Sequence, residues 1–98
     1  MKPIKHHKEA LAEYNEAAHY YAQKSLKTGQ RFHEEIERCV DEIQKHPGIF
    51  HHIKGSCQRH FSTTFPYAII YKELPDHIHI LAVMHMHRKP NYWEHRKS

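Results

Sequence analysis

The sequence predicts an α+β fold, an N-terminal helical hairpin packed on a small curved antiparallel sheet in the order β-α-α-β-β-β. Three observations predict it. Over residues 8–45 apolar side chains recur at steps of three and four, the period of a helix. After Pro47 the period falls to two, and Ile, Tyr, Phe and Val, which suit a pleated surface, become common. Short turn signals at Thr63-Thr64 and Leu74-Pro75-Asp76 separate the later segments, and strands joined by short turns pair antiparallel.

Residues 2–6 read as an edge strand, where Pro3 is tolerated because its missing N–H would face solvent. Residues 8–26 read as the first helix. Leu11, Tyr14, Ala18, Tyr21 and Ser25 form its apolar stripe, flanked by Ala10 and Ala17, and alanine favours the helix intrinsically. Glu9, Glu13, Glu16, Gln23 and Lys24 fall on the opposite, wet face. Lys27-Thr28-Gly29 breaks the pattern, with Gly29 free to take positive φ and Thr28 suited to cap a second helix. That helix, over residues 30–45, carries Phe32, Ile36, Cys39, Val40 and Ile43 on one face, and His46-Pro47-Gly48 ends it. Such a pair makes an antiparallel hairpin whose apolar side needs a cover.

The sheet supplies that cover. Residues 53–62 read as one strand and residues 65–71 as the next, with Pro66 at its entry. The strand from His77 is the central one. Ile78, Ile80, Ala82, Met84 and Met86 fall on one of its faces, and His77, His79, Leu81, Val83, His85 and His87 on the other. It delivers Arg88, Tyr92, Trp93 and Arg96 to one rim of the sheet.

A chain of 98 residues suffices for one domain, residues 1–98, burying roughly 60–65% of its unfolded surface. The net charge of +4 suits an acidic or polyanionic partner, nucleic acid or an acidic protein segment, although it also serves plain solubility. The 13 histidines add positive charge below about pH 6.5. Cys39 and Cys57 are expected as free thiols in a reducing cytosol. No apolar run comes after Lys5-His6-His7-Lys8 as a signal peptide would require, and none reaches the ~18 residues of a membrane span, so a cytoplasmic protein without membrane contact is expected.

The chemically suggestive feature is the set Lys54, Arg59, Arg88, Lys89 and Arg96 around Tyr92 and Trp93. Guanidinium groups grip phosphates and carboxylates, and aromatic rings stack on bases or anchor a partner segment. The alternative reading makes Trp93 only a lid on the core and the terminal cations only a solvated chain end. His77-x-His79 and His85-x-His87 have chelating spacing, but the strand pattern offers neither cysteine nor carboxylate to complete a tetrahedral set, so no metal is expected. His85 or His87 has the chemistry of a general base. There is no Gly-rich phosphate loop, CxxC pair or serine nucleophile motif, which leaves ATP use and acyl transfer unsupported, and no cofactor is expected.

Several stretches taken together resemble a known family. They are Ala10-Leu11-Ala12-Glu13-Tyr14 with Tyr20-Tyr21, then Arg31-Phe32-x-x-Glu35-Ile36, His46-Pro47-Gly48 and Arg59. Phe65-Pro66-Tyr67-x-Ile69-Ile70-Tyr71 comes next, then Ala82-Val83-x-His85-x-x-Arg88-x-Pro90-x-Tyr92-Trp93-x-x-Arg96. In this order they are similar to the RelE/ParE superfamily of type II toxin–antitoxin toxins, on the ParE-like, plasmid-stabilisation side. The resemblance implies two helices on a small antiparallel sheet, and a cognate acidic antitoxin that wraps the toxin in a hetero-oligomer. For ParE-like members it implies growth inhibition through DNA gyrase without enzymatic activity. For RelE-like members it implies a ribosome-dependent mRNA endoribonuclease, for which Arg59, Arg88, His85 and Tyr92 are the catalytic candidates. Where the RelE-like pattern has an arginine entering the 65–71 strand, this chain has Ala68, and a missing cation costs on the order of 3 kcal/mol of phosphoryl transition-state stabilisation. The gyrase-directed reading is therefore preferred. Arg88, Tyr92, Trp93, Arg96 and Tyr67 are its expected contacts with target or antitoxin. A non-toxic nucleic-acid- or protein-binding module is the remaining alternative.

Overall fold

The computed structural model describes residues 1–96. Its elements are β1 (Ile4–His6), α1 (Lys8–Lys24), α2 (Leu26–Lys45), a 3-10 turn (Pro47–Ile49), β2 (His51–Lys54), β3 (Cys57–Phe61), β4 (Tyr67–Glu73) and β5 (Ile78–His85). The strands form one sheet in the order β1-β5-β4-β3-β2, with the predicted helical hairpin packed on one face. The sheet is mixed, not wholly antiparallel, because β1 runs parallel to β5 and pairs Ile4 with Ile78 and His6 with Ile80. The helical hairpin separates the two strands in sequence, so no short turn forces them antiparallel. Pro3 precedes β1 on the sheet edge, and its carbonyl accepts from the Ile78 N–H at 2.9 Å.

The helices meet at one residue rather than three. Ser25 is extended, donates its N–H to the Tyr21 carbonyl, and accepts the Thr28 N–H at its Oγ at 3.0 Å. Ser25, not Thr28, therefore caps α2. Gly29 lies inside α2 instead of in a break. A Cβ there would sit 2.9 Å from the Cα and Cβ of Ala22, so this glycine lets the helices approach closely. Gly29→Val is expected to destabilise the fold by about 1–3 kcal/mol through overpacking, measured by urea denaturation. Gly29→Ala should cost less, because alanine recovers about 1 kcal/mol of helix propensity.

On α2 the expected stripe of Phe32, Ile36, Cys39, Val40 and Ile43 is buried. On α1 the buried line is Ala10, Tyr14 and Ala17, and Leu11, expected in the stripe, is 45% exposed. These side chains pack on Ile69 and Tyr71 of β4 and on Ile78, Ile80 and Val83 of β5.

The predicted alternation along β5 does not hold throughout. Tyr71 pairs with Ile80 and Ile70 with Ala82, which leaves Leu81 as an extra residue. Such a bulge reverses the facing of every later position. Ile78, Ile80 and Val83 therefore all pack toward the helices, while Leu81, Ala82 and Met84 pack on the opposite face against Trp93. The single strand predicted over residues 53–62 is likewise two, folded at Gly55, whose φ of 58° is a conformation glycine adopts without a Cβ penalty.

Glu35 ties α2 to the loop between β3 and β4. Its Oε2 accepts from the Ser62 hydroxyl at 2.6 Å and the Thr63 N–H at 2.8 Å, and Arg38 donates to both carboxylate oxygens at 2.8 and 3.0 Å. Arg38 foremost, with Ser62 and Thr63, holds the Glu35 carboxyl down to about 2 against the opposing effect of burial. An unfolded glutamate titrates near 4.3, so this stabilisation is full above that pH and fades as pH falls toward the folded value. Urea denaturation from about pH 5 down to about pH 2 should show a loss of roughly 2 kcal/mol from this site, and Glu35→Gln should flatten that slope.

Candidate functional site

The end of β5 and the chain after it fold back over the start of α1. Asn91, at φ 64°, takes the left-handed conformation that asparagine tolerates and turns the chain after Pro90. Tyr92, Trp93 and Arg96 are thereby brought beside the sheet.

They meet a residue that the sequence pattern places on the wet face. Glu13 turns inward from α1, and its side chain is only 15% exposed. Its Oε1 accepts from the Val83 N–H at 3.0 Å and from Arg96 at 2.9 Å. Its Oε2 accepts from the Tyr92 hydroxyl at 2.6 Å and from Arg96 at 3.0 Å. Arg96 also donates to the Leu81 carbonyl at 2.9 Å. Glu13 lies three residues after buried Ala10 and four before buried Ala17, so it shares the edge of their stripe. That spacing is the signal in the sequence that could have found it.

The expected surface roles divide accordingly. The Arg96 side chain is 6% exposed and belongs to the Glu13 cluster. Trp93 is buried against Ile70, Leu81 and Ala82, so it lids a second core on the face away from the helices. Both are expected above as target or antitoxin contacts, and in this fold both side chains are buried within the chain. Burial, and then its hydrogen bond to Glu13, push the Tyr92 hydroxyl well above the usual phenol range. Its proton is therefore held, which does not suit a base that must lose it.

Arg88 is different. Its side chain is 53% exposed, its guanidinium lies 3.9 Å from the centre of the Tyr92 ring, and its contact with Glu13 is a loose 4.0 Å. It stands between two clefts of about 250 Å³ each. The first, on the helix side, is lined by Glu16, Tyr20, Tyr67, His85 and Arg88. Tyr67 and His85 are paired across β4 and β5, with ring centres 5.0 Å apart, and burial pushes the Tyr67 hydroxyl up. The second, on the far face, is lined by Arg59, Met84, Met86, Trp93 and Arg88. Arg59 pairs with Ile70 of that far face, its guanidinium lies over the Phe61 ring, and its buried Nε finds no hydrogen-bond partner among the described residues. Among the catalytic candidates, Arg59 and His85 thus line opposite faces, Tyr92 is tied to Glu13, and only Arg88 reaches both clefts.

The family model for the ParE toxin of type II toxin–antitoxin systems, parDE, matches residues 4–90. The chain belongs to the ParE toxin family. This ParE-family chain also superposes on a solved structure of the chromosomal ParDE toxin–antitoxin system from P. aeruginosa with a TM-score of 0.70. The alignment has 18% identity and covers 87% of this chain and 96% of the other, a likeness of fold. No curated protein sequence matches. Tyr92, Trp93 and Arg96 lie beyond the 4–90 stretch that carries the family match, whereas Glu13 and Arg88 lie within it. Among the described residues no helix is long and apolar enough to cross a membrane.

Proposed function

We propose that this ParE-family toxin arrests bacterial growth in the cytoplasm by acting on DNA gyrase, and that a cognate acidic antitoxin neutralises it. The observation that carries this reading over the nuclease is the tie between Tyr92 and Glu13. The Tyr92 hydroxyl, the one hydroxyl among the candidates for activating a ribose 2′-OH, donates to a carboxylate and keeps its proton. Buried Ala68 stands where the nuclease pattern has an arginine, which points the same way.

In this reading Arg88 is the principal contact, flanked by Tyr67 and His85 on one side and the methionines of the far cleft on the other. A positive chain with an exposed arginine beside apolar and aromatic surface suits an acidic segment that folds as it binds.

The test is induction of the chain alone in bacteria, with growth, nucleoids and transcripts monitored together. Arrest with filamentation and intact transcripts is expected, relieved by co-expression of the acidic antitoxin. Cleaved transcripts would establish the nuclease instead, and unimpaired growth the non-toxic module. Arg88→Ala should abolish arrest while changing stability by less than about 1 kcal/mol, since an exposed ion pair contributes little. A central interface arginine is worth about 2 kcal/mol or more, roughly thirtyfold in affinity.

A further inference from the structure

Away from the clefts, α2 and β3 bring together three side chains of metal-ligand type. Cys39 and Glu42 lie three residues apart on α2, and His60 faces them from β3. Their ligand atoms all lie within 4.8 Å of one another. We propose that Cys39, Glu42 and His60 form a binding site for a thiolate-seeking divalent transition ion, zinc foremost.

The donor set is one sulfur, one imidazole nitrogen and one carboxylate oxygen, all of which zinc accepts. Cys39 is fully buried, the His60 side chain is 15% exposed and that of Glu42 is 42% exposed. The site is therefore closed at the sulfur and open at the carboxylate, where an ion enters and a water completes four-coordination. His60 is pre-oriented: its ring stacks on Phe50 with centres 3.8 Å apart, and its Nε2 points at Glu42 Oε1 from 2.7 Å.

Zinc bonds of 2.0–2.1 Å to nitrogen and oxygen place tetrahedral ligand atoms about 3.3 Å apart, so the His60–Glu42 contact must widen by roughly 0.6 Å. Glu42, at the exposed end, makes that shift once Arg38 lets go of it. Arg38 opposes the ion, because it holds Glu42 Oε1 at 2.9 Å. Its side chain is 43% exposed and its bonds to Glu35 remain available, so it can release Glu42. On binding, the Cys39 thiol gives its proton to solvent as the metal–sulfur bond forms, and His60 binds through neutral Nε2. The ion would cross-link α2 to β3.

Cobalt(II) is the probe, since only a thiolate ligand gives a sulfur-to-cobalt charge-transfer band. That separates this site from the surface histidines. The reduced full chain titrated with cobalt at neutral pH should show the band together with visible tetrahedral transitions, and zinc should displace both. Cys57→Ser should leave the band intact and Cys39→Ser should abolish it. Loss of an outer-shell partner alone costs roughly 10–100-fold in metal affinity, so His60→Gln should cost at least tenfold. If Cys39→Ser fails to fold, His60→Gln and Glu42→Gln carry the test. Absence of the band, a band lost with Cys57, or undiminished binding by His60→Gln would overturn the proposal and leave an ordinary ion pair beside a core thiol.

Discussion

Glu13→Ala is expected to destabilise the protein by about 3–5 kcal/mol, the cost of removing one member of a buried ion pair. The side chains of Glu13 and Arg96 are 15% and 6% exposed. Without the carboxylate, the Arg96 guanidinium keeps Glu9 at 3.3 Å as its nearest acid among the described residues, and Glu9 is itself half exposed. The Tyr92 hydroxyl and the Val83 N–H lose their acceptor in the same step, and an unsatisfied buried group costs about 1–3 kcal/mol. Against a total stability of about 5–15 kcal/mol, this substitution should bring the domain close to unfolding in moderate urea. Removing both charges should cost less than the sum of the single changes, because apolar replacement of a whole buried pair is often neutral. A Glu13→Leu, Arg96→Met double variant compared with each single variant by urea denaturation measures that coupling. Additive costs would mean that the pair does not act as a unit.

Trp93→Ala is expected to cost about 3–5 kcal/mol, as truncation of a buried aromatic does. Trp93 is 3% exposed and covers Cys57, Ile70, Leu81 and Ala82, a cluster that the helices do not reach. It is the only tryptophan in the chain, so its fluorescence reports on this far-face core while far-ultraviolet circular dichroism reports on the helices. The wild type should lose both signals in one transition. In the alanine variant the midpoint of the helical signal should fall, and Arg59 should become more accessible because Trp93 walls its cleft. Trp93→Phe should recover much of the loss.

Periodicity makes the helices and most of the sheet legible. The α2 stripe is readable because five apolar residues, three of them Phe or Ile, hold a helical period over one element. The α1 stripe is readable only in part. Its buried line is built largely of alanines, whose small side chains weigh little in a pattern, and Leu11 draws the stripe aside. The bulge at Leu81 leaves no mark, since β5 is buried on both faces and a run of apolar residues has no parity to break. Gly29 reads as a break because a glycine between two helical patterns is usually a turn, whereas here Ala22 approaches too closely for a Cβ.

The candidate site is legible as a group of residues but not as an arrangement. Arg88, Tyr92, Trp93 and Arg96 do gather at one rim, yet Trp93 and Arg96 face inward and Arg88 outward. The missing piece is Glu13, and α2 repeats the same pattern. Glu35 lies three residues after Phe32 and four before Cys39, and it too is buried and fully bonded. A glutamate at that spacing between buried positions lies on the stripe's edge, where a donor from another element makes its burial tolerable.

The proposed gyrase-directed surface centres on Arg88. Supercoiling of relaxed plasmid by purified gyrase, with wild-type chain or Arg88→Ala added, tests it most directly. The wild type should inhibit supercoiling and the folded Arg88→Ala chain should not, with the acidic antitoxin restoring activity to the wild-type reaction. Uninhibited gyrase in the presence of wild-type chain that arrests growth would contradict the claim and direct attention to another target.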